Sequence, residues 1–183
     1  MNALNTILIF VVAFLAVFGE AAVPGVRVLL GAQVDLLPVL MVYAALNAGL
    51  PVIASLAVLG GLWFDALSAN PLGVTILPLF IVGFVIFLQR ELILRELSFA
   101  QLVLGTIASA LVPVLTLLFL LTVGRQPLLG WGSLWQWLVM TAGGAVATPI
   151  VFELFNWLNR SFGYQPRIES SFRSDREILR GRN

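Results

Sequence analysis

Apolar residues run along this chain in long blocks, separated by short polar punctuation. The uncharged stretches are Met1–Gly19, Leu36–Phe64, Ala66–Gln89, Leu97–Gly124 and Gln126–Phe152. A helix crosses the ~30 Å hydrocarbon core of a bilayer with about 20 apolar residues, so most of these blocks have the length of a transmembrane span. The first span is expected at about Ala3–Val23. It resembles a secretory signal ending near Glu20-Ala21-Ala22, but it lacks the positive leading segment such a signal needs.

The block Leu36–Phe64 is too long for one upright helix and too short for two full spans. Its middle reads Asn47-Ala48-Gly49-Leu50-Pro51, an amide with two helix breakers, which is turn chemistry. Two short helices are expected, at about Val34–Ala48 and Pro51–Leu67, with Pro51 in the first turn of the second, where its missing N–H does no harm. A further helix should start at Asn70 as N-cap and Pro71 as first helical residue, and run to about Gln89. The charged run Arg90-Glu91-Leu92-Ile93-Leu94-Arg95-Glu96 reads as an interfacial link. The last two spans are expected at about Phe99–Val123 and Leu134–Leu158, with a loop from Gly124 to Ser133 between them.

This pattern predicts an all-α integral membrane protein: a transmembrane domain over residues 1–160 and a basic tail over 161–183. Composition agrees. Of 183 residues, 60% are hydrophobic and 10% charged, with mean hydropathy +1.03, whereas a soluble domain carries about a quarter charged residues. Ser174-Asp175-Arg176-Glu177 in the tail has the form of a capping box.

The arginines orient the chain, because cytoplasmic loops concentrate positive charge. With six spans and both termini cytoplasmic, Arg90, Arg95, Arg160, Arg167, Arg173, Arg176, Arg180 and Arg182 lie inside, and Arg27 and Arg125 outside, eight against two. With five spans Arg27 moves inside, nine against one. Charge therefore orients the second half and leaves the first half open. Turn chemistry and block length favour six.

The missing residue types restrict the chemistry. The chain has no Cys, no His and no Lys; all ten basic residues are Arg. That removes thiol nucleophiles, disulfides, His- or Cys-ligated metals, Ser-His-Asp triads and the phosphate-loop lysine. No catalytic set, no cofactor and no nucleic-acid partner is expected.

Ionisable groups within spans are costly and mark candidate sites. Three stand out: Glu20, Asp65 and Glu153. Glu20 and Asp65 are expected near the outer ends of their spans. Each either sits at a wet interface and accepts loop N–H groups, with donors around Ser68, Ala69 and Asn70 for Asp65, or is a buried carboxylate lining a cavity. Glu153, Asn156 and Asn159 are expected on nearly one face, facing headgroups or a neighbouring helix. Gly60-Gly61 and Gly143-Gly144, with Gly105-x-x-x-Ser109, Ala45-x-x-x-Gly49 and Gly143-x-x-x-Ala147, read as close helix-packing faces, toward other helices of the chain or toward a partner.

The segment Gly60-Gly61-Leu62-Trp63-Phe64-Asp65-Ala66-Leu67-Ser68-Ala69-Asn70-Pro71-Leu72-Gly73 resembles the rod shape-determining MreD family, in which Gly-Leu-x-x-Asp-x-Leu-Ser is followed by Pro-Leu-Gly. Asp35-Leu36-Leu37 and Phe162-Gly163-Tyr164 are also similar to that family, although Val34 stands where it usually has Pro. The resemblance implies six spans in a bundle like the substrate-binding S components of energy-coupling-factor transporters, both termini in the cytoplasm of a bacterium, and residence in its inner membrane. It implies a non-enzymatic scaffold of the cell-elongation complex that helps organise lateral peptidoglycan synthesis. The implied partners are single-span MreC and, in the same machine, MreB filaments and the RodA–transpeptidase pair, with homo-oligomerisation open. Asp65, Asn70, Pro71 and Gly73 would shape the outer loop. Gly60, Gly61, Gly143, Gly144, Glu153 and Asn156 are the packing or partner candidates. A small-molecule uptake subunit of the vitamin-transporter type is the alternative, with Asp65, Asn70 and Gln33 as the groups able to meet a ligand.

Overall fold

The computed structural model describes residues 3–22, 31–68, 70–91, 98–124 and 130–162. Among them are six helices: α1 (Ala3–Ala22), α2 (Leu37–Asn47), α3 (Leu50–Leu67), α4 (Ile76–Gln89), α5 (Ser98–Thr122) and α6 (Trp131–Phe162). The described residues contain no strand.

Polar contacts at two opposite ends show that the chain reverses direction from helix to helix. At one end, Glu20 of α1 meets the start of α2, Asp65 of α3 meets the start of α4, and Gln136 of α6 binds Gln33. At the other, Asn5 of α1, Tyr43 of α2 and Asn159 of α6 share hydrogen bonds of 3.4 Å. There too, Arg90 after α4 donates to the Ala48 carbonyl after α2 at 3.3 Å and lies over the Phe87 ring.

Four helices, α1, α3, α5 and α6, are long and apolar enough to cross a membrane; α2 and α4 are shorter apolar helices. At 1.5 Å per residue, α2 and α4 span only ~16 and ~21 Å, less than the ~30 Å core. The described residues thus form six helices that alternate in direction, four of which have the length and apolarity of a span.

The shortest helix sits at the centre. Leu37 through Leu46 are all buried, and α2 touches every other helix. Its sequence, apolar on every side, is the pattern of a helix enclosed by others. Tyr43 stacks on Phe155 and meets Phe152 edge-on, fixing α2 against α6. Helix α2 begins at Leu37 rather than near Val34, because Asp35 Oδ1 accepts the Leu37 N–H at 2.8 Å and Pro38 occupies the first turn. The break at Ala48-Gly49 and Pro51 in the first turn of α3 agree with the turn chemistry.

Two other boundaries differ from expectation. Helix α4 starts at Ile76, not at Pro71; residues 72–75 form a turn in which the Val74 N–H reaches the Pro71 carbonyl. Gly73 has φ +90°, outside the helical region, so Asn70 does not cap α4. Helix α6 begins at Trp131 and continues to Phe162, past the 160 boundary expected for the transmembrane part. Its first turn is set by the Ser133 N–H on the Gly130 carbonyl. The tail from residue 163, Glu96, Arg27 and Arg125 lie outside the described residues.

Close packing uses the glycine pairs inside the chain. A methyl group added at Gly60 would lie 2.8 Å from Leu37 Cδ1, at Gly61 3.1 Å from the Ile76 backbone, and at Gly143 2.7 Å from Val34 Cγ1. At Gly144 it would collide with Ser109, and at Gly105 with Thr148. The missing side chains let α5 and α6 approach closely, and these two form the most extensive helix pair. Where both neighbours and partner were open, the four glycines face neighbours in this chain.

Candidate functional site

The Asp65 carboxylate organises the α3–α4 junction. It is 1% exposed. Its Oδ2 accepts the N–H of Gly73 at 2.8 Å and of Thr75 at 3.1 Å, and its Oδ1 accepts the Thr75 hydroxyl. A buried carboxylate is tolerable when its oxygens are this well supplied with donors. Of the expected donors, Ser68 and Asn70 bond elsewhere, and Ala69 lies outside the described residues. Ser68 instead donates to the Asp65 carbonyl, and its oxygen receives the Asn70 N–H. Pro71 and Gly73 supply the tight turn that brings residues 73–75 back over the end of α3.

A second group of polar residues stands beside it. Glu20 Oε1 accepts the Leu36 N–H at 2.8 Å, while Oε2 is buried with no hydrogen-bond partner among the described residues. Glu20 interacts electrostatically with Asp35 and is faced by the Gln33 amide. Gln136 and Gln33 exchange two bonds, Gln136 Nε2 donating to the Gln33 carbonyl at 2.8 Å and Oε1 accepting the Gln33 N–H at 3.0 Å. This ties the segment before α2 to α6.

Between these groups lies a cavity of about 250 Å³. Its polar lining comes from Gln33, Asp35, Asn70, Thr75, Thr116 and Gln136. Its apolar lining includes Phe64, Pro113, Leu117, Leu120 and Met140. Asn70 and Gln33 therefore border the cavity, whereas Asp65 stands behind Thr75. The cavity forms where five elements converge: the segment before α2, the end of α3, the turn before α4, the second half of α5 and the start of α6. Pro113 and Thr116 place the α5 side of it, with the Thr116 hydroxyl donating to the Val112 carbonyl.

Asp35 and Gln136 were not among the expected site residues. Asp35 is 3% exposed and has the same signal that singled out Asp65, a carboxylate at the edge of an apolar block. Gln136 has no such signal, because its role comes from pairing with a segment 103 positions away.

Glu153 and Asn156 lie far from the cavity, exposed on the outside of α6. Asn159 does not share their face. At 3.6 residues per turn, a separation of six residues rotates about 120° from alignment, and Asn159 turns inward to Asn5 and Tyr43. Around Glu153, the exposed side of α6 carries Val146, Ile150, Leu154 and Trp157.

Among the described residues no group of three His, Cys, Asp or Glu could hold a metal ion. No protein-family model, curated protein or solved structure matches the chain.

Proposed function

We propose that this chain is a multi-pass scaffold of a bacterial inner membrane, of the MreD kind, with both termini cytoplasmic and six spans of which two are short. It binds the transmembrane helix of an MreC-like partner and so helps organise lateral peptidoglycan synthesis, in the same assembly as MreB and the RodA–transpeptidase pair.

The observation that carries this reading is how the MreD-like segment is used. Asp65 gathers Gly73 and Thr75, Gly60 admits Leu37, and Gly61 admits Ile76. The characteristic residues serve the shape of one end of the bundle, as in a protein that works by presenting a surface. The exposed side of α6 supports a partner helix. Val146, Ile150, Glu153 and Trp157 follow one another at spacings of four, three and four, the stripe of a helix–helix seam. One carboxylate within it gives a partner's polar residue something to bind.

The test places a photo-crosslinking amino acid at Ile150, on the stripe, or at Ile53, in the core, in cells that also carry an MreC homologue. We expect an MreC adduct from position 150 and none from 53, and loss of rod shape when the gene is deleted. Rod-shaped deletion cells with no adduct at 150 defeat the proposal.

The cavity favours a second reading, a small-molecule uptake subunit. Gln33 and Asn70, two of the residues able to meet a ligand, border it. Co-purification with coupling ATPases, together with substrate uptake that depends on this chain, would favour that reading over the scaffold.

A further inference from the structure

Three features of the cavity and its surroundings bear on what it can hold. First, Asp35 lines it while only 3% exposed, and among the described residues the only hydrogen bond to its carboxylate comes from the Leu37 N–H on Oδ1. Second, Glu20 near Asp35 has a buried oxygen with no hydrogen-bond partner among the described residues. Third, the described basic side chains are at the opposite end of the bundle, Arg27 and Arg125 lying outside the described residues. Arg90 binds the Ala48 carbonyl, Arg160 is in the last turn of α6, and the chain contains no Lys or His. A carboxyl group withdrawn from water takes up a proton or pairs with a cation, and one that lines a cavity can pair with a cationic ligand.

The rest of the lining limits what that cation can be. Phe64, Leu117, Leu120 and Met140 offer apolar surface, which suits the body of an organic cation better than a metal ion that takes oxygen ligands on every side. The volume of about 250 Å³ equals that of roughly eight waters at ~30 Å³ each. It lies just below the ~300–1,000 Å³ of common ligand pockets, so one ring with a short side arm fills it. Few oriented polar groups set against apolar walls is the usual make-up of a small-molecule site.

We propose that this cavity binds a small organic ammonium compound, its N–H groups on Asp35 and its apolar body against Phe64, Leu117, Leu120 and Met140. The Asn70 and Gln33 amides flank the cationic end. The site depends on neither functional reading above, since a scaffold and an uptake subunit can each hold such a ligand.

The experiment uses the purified full-length chain in detergent and three compounds of one shape: benzylamine, benzyl alcohol and benzoate. Saturation-transfer NMR and thermal stabilisation report binding. Benzylamine should bind saturably, about ten-fold or more tighter than benzyl alcohol, with benzoate weakest, because a charge-assisted hydrogen bond is lost in the neutral compound. Asp35→Asn should remove that preference. Its amide oxygen still accepts the Leu37 N–H, so the start of α2 is kept. Thr116→Phe, which fills the cavity and leaves Asp35 in place, should abolish saturable binding of all three. Equal binding of the three compounds, no saturable binding of benzylamine, or an unchanged amine preference in Asp35→Asn overturns the proposal. So does stabilisation by Na⁺ or Mg²⁺ that excludes benzylamine, which would make the site one for a metal ion.

Discussion

Gln136 holds the backbone of Gln33 with both ends of its carboxamide, one atom donating and one accepting. Only an amide side chain offers a donor and an acceptor in that arrangement. The pair closes the segment before α2 against α6 and thereby forms one wall of the cavity.

Replacing Gln136 by Ala leaves a partly buried N–H and C=O without partners. A loss of about 1–3 kcal/mol is expected for an unsatisfied buried group. Gln136→Glu keeps the acceptor and loses the donor, so it should fall between wild type and Ala. Chemical or thermal unfolding in detergent measures the order. An Ala variant as stable as wild type would show that the segment does not depend on this tie.

The Asp65 carboxylate meets three donors from two residues. Asp65→Ala strands them all, at a cost of about 1–3 kcal/mol for each one left buried and unpaired. Asp65→Asn is expected to be milder, because its oxygen can serve the two N–H groups while Thr75 turns its hydroxyl to accept from the new NH₂. Thr75→Val removes one of the donors, so Asp65→Ala combined with Thr75→Val should cost less than the sum of the single changes. Unfolding measurements on the four proteins decide it; strict additivity would mean that the two side chains act independently.

Much of this arrangement is legible in the sequence, for a physical reason. Long apolar blocks and breakers such as Gly49-Leu50-Pro51 act locally, so α1, α3 and α5 fall within a few residues of expectation. Helix α4 starts later than Asn70-Pro71 suggests, because that pair has only the local chemistry of a helix start, and the Asp65 carboxylate overrides it by binding the N–H groups of Gly73 and Thr75. The same limit hid Gln136, and a six-residue separation was mistaken for one face at Asn159. Whether a small residue faces a neighbour or a partner depends on the fold, not on its spacing, so only the packed chain assigns Gly143 to Val34 and Gly144 to Ser109.

The α5–α6 contact gives a prediction with an internal control. An added methyl at Gly144 meets the Ser109 side chain, so Gly144→Ala should destabilise by about 1–3 kcal/mol through overpacking. Gly132, in the first turn of α6 with nothing near its missing Cβ, should accept Ala and gain up to about 1 kcal/mol of helix propensity. The Ser109 hydroxyl is buried without a partner among the described residues, so Ser109→Ala alone should be neutral or stabilising. In the Gly144→Ala background it should restore part of the loss, since the Ser109 Cβ remains in the way. Equal effects of Ala at 132 and 144 would mean that α5 and α6 do not approach this closely.

The alternating path makes a prediction about sidedness that needs no knowledge of partners. Ala22 at the end of α1 and Gly132 at the start of α6 are exposed and belong to the Glu20, Asp35 and Gln136 end; Glu91 is exposed at the Arg90 end. The chain has no native Cys, so Ala22→Cys, Gly132→Cys and Glu91→Cys each present a single thiol. Under the proposed topology, which follows the arginine bias, the Arg90 end is inside. An impermeant maleimide on intact cells should therefore label positions 22 and 132, and position 91 only after lysis. Labelling of 132 without 22 would place the first half of the chain as in a five-span path. Labelling of 91 but not 132 in intact cells would invert the whole bundle and leave the cavity facing the cytoplasm.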